Sequence, residues 1–321
     1  MDFSEKSSLK NFIRYFLVFL VFIVLLAFLS GDSKMKTSKL IKAKQSSFAL
    51  NQNVKLRSRK KNKGALFYTE ERDKNLLSPL LDKVIEQFDK GDGNEIRPSY
   101  SGDLPKIQAV HSSSAIVVNL FSYWLELNNL IPLAIALKLV SPKTRCSLSM
   151  EFEAKLPISD NFKRAPNLDV LFKVEGKSRF LAFGIESKLS EPFSGRGHKG
   201  LNPVYLANEF WTGLPNLKAL AGRLSPQNHE FKHLDVIQLL KHILGLKRAF
   251  KMRFKLLYLY WEGSGLEGGL HALEIDKFSQ ITRLDKVEFR SISYQDLIDR
   301  LATKHREEHE KYIKFITSRY L

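Results

Sequence analysis

Between Pro166 and Phe193 the chain reads PNLDVLFKVEGKSRFLAFGIESKLSEPF, two apolar runs rich in β-branched and aromatic residues around the turn-like Glu175-Gly176-Lys177. This stretch constrains the fold most, because each run carries charge where a buried strand should not. Asp169 interrupts the first run, and Glu186 and Lys188 close the second. Side chains at i and i+2 share one face of a strand. Glu186 and Lys188 therefore point the same way out of a segment too apolar for a surface edge. Burying a carboxylate and an ammonium there is unfavourable unless they pair or hold a metal ion. A functional site is expected at this hairpin.

The surroundings supply further elements. Residues 76–89 carry apolar residues at helical spacing, and residues 95–110 fit no single pattern. From His111 the sequence HSSSAIVVNLFSYWLEL predicts a helix with a serine-rich, self-capping start, with Ile116, Leu120 and Trp124 on one face. Asn119 sits amid those apolar positions, as a core hydrogen-bonder or, with Ser113, as an accessory site residue. Residues 130–140 form an apolar helix or buried segment, and residues 147–156 alternate as a strand, with Glu151 and Glu153 on one face. Past the hairpin, Ser194–Gly200 is a basic loop carrying Arg196, His198 and Lys199, candidates for contact with DNA. Helices are expected over 203–222 and 233–250, a buried strand over 255–261, a glycine-rich loop over 263–269 and a charged C-terminal helix from about Tyr294.

The N-terminus is different in kind. Residues 12–29 read FIRYFLVFLVFIVLLAFL. As a helix this run spans roughly 27 Å, enough for a thin bilayer. Three readings compete for it: a signal peptide without a clean cleavage site, a transmembrane anchor, or an upstream extension if translation starts at Met35. Five lysines between residues 34 and 44 outnumber the three basic residues, Lys6, Lys10 and Arg14, before the uncharged stretch that starts at Tyr15, which favours an inner-membrane anchor with the following domain on the cytoplasmic side. Without the anchor the protein is expected in the cytoplasm. Residues 35–63 read as a basic linker.

Charge follows the same division. The net charge is +17, and residues 1–63 hold 14 of the 51 Lys/Arg but 3 of the 34 Asp/Glu, leaving 37 against 31 in the rest. A basic arm on a mildly basic body is compatible with a polyanionic partner such as nucleic acid. The single cysteine, Cys146, excludes an intrachain disulfide and any zinc site built on several cysteines.

An Asp on one strand and Glu-x-Lys on its hairpin partner make a set of hard oxygen ligands with an adjacent cation. Such a set suits Mg²⁺ and phosphoryl chemistry. HEFKH at residues 229–233 is a rival, matching His-Glu-x-x-His, which on a helix places His229 and His233 one turn apart on a zinc ion. A membrane-anchored zinc protease would fit that motif. Lys232 beside the would-be ion and the loop-like residues before His229 count against it.

Taken together, HSSSAIVVNLF (111–121), FE (152–153), NLDVLF (167–172), GIESKLSEPF (184–193) and DVIQLLKHIL (235–244) resemble the PD-(D/E)XK, or restriction-endonuclease-like, nuclease superfamily. They are similar to a bacterial branch of uncharacterised nuclease-like proteins, over roughly residues 66–321. The resemblance implies an α/β fold whose restriction-endonuclease-like core is a mixed four- to five-stranded sheet flanked by helices, within a domain of residues 64–321. It also implies Mg²⁺, or Mn²⁺, held by Asp169 and Glu186 with help from Glu153, a catalytic Lys188, an accessory Gln238 and DNA as substrate. Ser187 replaces an aliphatic residue and Ser114 replaces Gln, and neither change removes a catalytic group. A non-catalytic DNA-binding module of the same fold is the alternative. Oligomeric state stays open, a homodimer included.

Overall fold

The computed structural model describes residues 36–59, 64–91, 95–99 and 102–321. The apolar run at 12–29, its membrane contact and the question of where translation starts lie outside the described residues. Among the described residues, no helix is long and apolar enough to cross a membrane.

Five strands form the central sheet, in the order β3 (Ser147–Lys155), β4 (Asn167–Glu175), β5 (Ala182–Lys188), β6 (Phe254–Tyr260) and β7 (Glu288–Ser293). The first two pairings are antiparallel and the last two parallel. The expected mixed sheet is thus present, and β4–β5 is the expected hairpin. Gly176 at its turn has φ +95°, a conformation open to glycine without strain. A parallel neighbour requires a crossover, and helices supply both. Helix α6 (Val236–Phe250) connects β5 to β6, and α7 (Gly265–Leu284) connects β6 to β7.

Apolar cores cover both faces of the sheet. On one face Val170, Phe172, Phe183, Ile185 and Leu259 pack against α3 (Ser113–Glu126), α8 (Tyr294–His305) and α9 (Glu310–Tyr320). On the other, Leu171, Ala182, Leu256 and Tyr258 pack against α6, α7 and α5 (Pro215–Arg223). Helix α6 approaches closely because Gly184 and Gly245 carry no side chain. A Cβ on Gly184 would stand 2.9 Å from Leu246, and one on Gly245 2.6 Å from the Leu156 carbonyl oxygen. The remaining helices, α2 (Asp82–Lys90) and the short α4 (Ile131–Ala136), and the small β1–β2 pair (Leu56–Arg57 with Tyr68–Thr69) complete the first layer.

Several expectations change. Much of the segment read as a basic linker is helix α1 (Thr37–Asn51). Ile41, Gln45 and Ala49 form its buried face, and Gln45 bonds to Arg319 on α9, donating to its carbonyl (2.9 Å) and accepting from its Nε (3.2 Å). A buried face made of Gln, Ala and one Ile has little hydrophobic periodicity, so the pattern was invisible. The glycine-rich loop is confined to its first residues, because α7 begins at Gly265 despite Gly268 and Gly269. Residues 203–222 split into two 3₁₀ turns and α5. The C-terminal helix is two helices, α8 and α9, with a corner at residues 306–309.

Helix α6 begins at Val236, so HEFKH is not helical. Its side chains turn to separate partners. His229 Nε2 meets Gln227 Oε1 at 3.0 Å, Glu230 pairs with Arg223 and Lys277, and His233 Nδ1 donates to the Pro192 carbonyl at 2.8 Å. The zinc-protease reading is therefore set aside.

Candidate active site

The hairpin brings its charges together as the period of two requires. On β5 the side chains of Phe183 and Ile185 enter one core, so Glu186 and Lys188 project toward α6. On β4 a distortion is needed. The β3–β4 register pairs Phe152 with Val170 and Ala154 with Leu168, and skips Glu153 and Asp169 between them. Glu153 has φ +50°, a left-handed conformation rare for a non-glycine residue inside a strand. Side chains change face at this point: Phe152 and Val170 enter the first core, Ala154 and Leu168 the second. Backbone held this way costs on the order of 1–3 kcal/mol and tends to mark functional sites.

Glu186 is 1 % exposed. Lys188 Nζ lies 2.5 Å from its Oε1 as an ion pair. Its Oε2 accepts from His242 Nε2 at 2.7 Å, on the fully buried face of α6. Asp169 Oδ2 accepts from the Ser187 amide at 2.6 Å, which fixes one strand end to the other, and Ser187 Oγ bonds in turn to the Tyr294 hydroxyl.

Burial and crowding set the protonation of this group. Burial, then the Glu186 and Glu153 charges, raise Asp169 well above the usual carboxylate range against the pull of Lys188. Burial, then Glu95 and Glu186, push Glu153 up to about 7. Burial works against the charged form of Glu186, yet Lys188 and His242 hold its pKa low. Lys188 is likewise opposed by burial, and Glu186 and Asp169 raise it well above its ordinary value, keeping it an ammonium.

A cleft of about 810 Å³ opens over these strand ends. Asp169, Glu153, Lys188, Ser113, Arg196, His198 and Gln238 all line it. Glu186 does not; it is buried beside Lys188, which does. Two sequence candidates lie elsewhere. Asn119 is buried in the helical layer, accepting from the Leu77 amide and donating to Asn75 and the Tyr320 hydroxyl, so the core hydrogen-bond reading holds. Lys199 is exposed and does not line the cleft.

The structure adds residues the sequence did not single out. Glu95 lines the cleft, accepting from Ser114 Oγ at 2.9 Å and Lys106 Nζ at 2.8 Å. Asp235 caps α6 through the Gln238 amide and faces His198 Nδ1 at 3.4 Å. His242 is the main omission. A histidine at a core position of an otherwise apolar helix was the available signal, and it does not name the partner. Lys42, Arg59, Lys106 and Arg196 bring positive charge to the rim.

The donor set fits a hard divalent cation. It consists of carboxylates with Asn167 beside them, and Asn167 Oδ1 is buried without a hydrogen-bond partner. Asp169 and Glu153 both resist ionisation, first because they are buried and then because like charge is concentrated here, a repulsion that a cation relieves.

Carboxylates and a lysine gathered where an antiparallel hairpin meets a parallel crossover, on a mixed five-stranded sheet covered by helices, define a restriction-endonuclease-like core. The family described as Restriction Endonuclease associating with ARP has a model that matches residues 42–321, and this chain belongs to that family. Neither a curated protein nor a solved structure gives a significant match to the chain. Membership makes nuclease the class of activity to expect.

Proposed function

We propose that the protein is a divalent-metal-dependent nuclease that hydrolyses phosphodiester bonds in DNA. The observation that carries the reading is the meeting of Asp169, Glu186 and Lys188 at adjoining strand ends beneath a basic-rimmed cleft. Asp169 and Glu153 offer oxygens to the cleft, and Glu186 stands behind them as the third carboxylate. A bound Mg²⁺ or Mn²⁺ supplies charge neutralisation on the phosphate and a more acidic water. Lys188 keeps its proton on Nζ and so acts as a cation that orients the attacking water and stabilises charge developing on the phosphate. Arg196, Arg59 and Lys42 contact the phosphate backbone from the rim, giving affinity without sequence choice.

The test is cleavage of double-stranded DNA by the full chain in Mg²⁺, with a chelator control. Asp169→Ala and Lys188→Ala are each expected to lose at least about 100-fold in rate while keeping a wild-type far-ultraviolet spectrum. DNA binding of equal strength in wild type and both variants, with no metal-dependent cutting by any of them, would refute catalysis and identify a DNA-binding module of the same fold.

A further inference from the structure

The corner between α8 and α9, at the opposite end of α3 from the serines that line the cleft, gathers a second set of ligand atoms. One ligand atom each from His305, Glu308 and His309 lies within 4.8 Å of the others. Glu308 Oε2 stands 3.9 Å from His305 Nδ1 and 3.8 Å from His309 Nε2. These separations are too long for hydrogen bonds. Three donors thus surround a gap rather than bonding one another. Ligands at about 2.1 Å from a tetrahedral ion stand about 3.4 Å apart, so closure needs the two histidine nitrogens, which lie within 4.8 Å of each other, to approach and the Glu308 oxygen to make a shift of about half an ångström. Glu308 is free to make it, being 76 % exposed.

The two imidazoles are held in place. His305 and His309 both pack edge-on against Trp124, with ring centroids 5.6 and 4.8 Å away. His309 Nδ1 lies 2.9 Å from the Tyr123 hydroxyl. With Nδ1–H donated to that oxygen, the lone pair falls on Nε2, the nitrogen that faces Glu308. An outer partner of this kind fixes the tautomer and aim of a metal-ligating histidine.

We propose that His305 Nδ1, Glu308 and His309 Nε2 form a binding site for a borderline divalent transition-metal ion of the Zn²⁺ type, with a fourth position open to water, and that the ion fixes the corner between α8 and α9. Two imidazoles with one carboxylate select such an ion over Mg²⁺, which takes oxygen ligands. The site is therefore chemically distinct from the cleft, and its role is structural.

The test uses the untagged full chain, stripped with chelator and titrated with ZnCl₂ against a chromophoric competitor in excess Mg²⁺. Wild type is expected to take up one equivalent more zinc than His305→Ala, and zinc is expected to raise the melting temperature of wild type but not of that variant. Glu308→Gln, at an exposed position that leaves the fold intact, is expected to weaken zinc affinity at least about 10-fold. Tyr123→Phe, which keeps the ring and removes the outer partner, is expected to weaken it about 10-fold. Equal zinc uptake and equal thermal response in wild type, His305→Ala and Glu308→Gln would overturn the proposal. Uptake that survives those changes and is lost in Asp169→Ala would also overturn it, by assigning the ion to the cleft.

Discussion

Removing the His242 imidazole should expose how strongly the Glu186 carboxylate depends on it. Both groups are buried, 0 % and 1 % exposed, and the Nε2–Oε2 distance is 2.7 Å. A hydrogen bond to a charged group contributes about 1.5–3 kcal/mol, and breaking a buried pair from one side costs up to about 3–5 kcal/mol; Glu186 keeps Lys188 but loses the partner of its other oxygen. His242→Ala is therefore expected to lose about 3–5 kcal/mol in urea unfolding, the higher values including the cavity left by the ring. His242→Phe fills that space and should still lose about 1.5–3 kcal/mol, which separates the contact from the cavity. The decisive measurement is a double-mutant cycle with Glu186→Gln. A neutral amide needs the imidazole less than a carboxylate does, so His242→Ala should cost less in the Glu186→Gln background, with a coupling of at least about 1.5 kcal/mol. Distant, independent sites add to within about 0.5 kcal/mol. Coupling of that small size would refute the idea that His242 holds Glu186 in its buried position.

Three further outcomes are expected. Two histidines set opposite pH trends, each with a slope of at most about 1.4 kcal/mol per pH unit. Burial opposes the charged form of His198, but Asp235 raises its pKa, so this pair's stabilisation is complete below the unfolded value of about 6.5 and fades as pH rises through the folded pKa. Burial, then His233 and His198, lower His271 to about 3, so stability should fall as pH drops from about 6.5 toward 3 while only the unfolded chain takes the proton. Unfolding curves of His198→Asn and His271→Gln across pH 3–9 check this, each variant flattening its own limb. Gly200→Ala should destabilise by more than about 2 kcal/mol, since its Cβ would fall 1.9 Å from the Pro226 carbonyl oxygen, whereas Gly197→Ala meets open space and should be neutral in the same thermal scan. Gln45→Ala should cost about 2 kcal/mol, because it leaves the buried Arg319 Nε without its acceptor, and deletion of residues 1–51 should be more damaging still; the calorimetric melting temperature reads both.

The hairpin was legible because its information is local. Alternation along β5 predicts that Glu186 and Lys188 share a face by counting residues, whereas Asp169 stands where the alternation along β4 breaks. The start of α3 was legible for the same reason: Ser112 accepts from the Ala115 amide, a cap written within four residues. The family resemblance rests on such short segments too, and it led to the sheet that is present.

What the tertiary structure alone decided lies at contacts between distant parts of the chain. His242 reaches Glu186 across 56 positions, and that meeting depends on how the crossover helix settles over Gly184. Glu95 enters the cleft from a segment with no periodicity to read, and Glu153 turns into it through a left-handed backbone that no pattern of apolar residues encodes. Helix α1 exists as packed structure because Gln45 has Arg319 to bind, a partner 274 residues away. The sequence by itself determined which side chains a strand or helix presents on each face, since that depends on backbone period. Which of them meet was decided by packing of the two helical layers on the sheet, because burial lets a polar group persist only where another element brings it a partner.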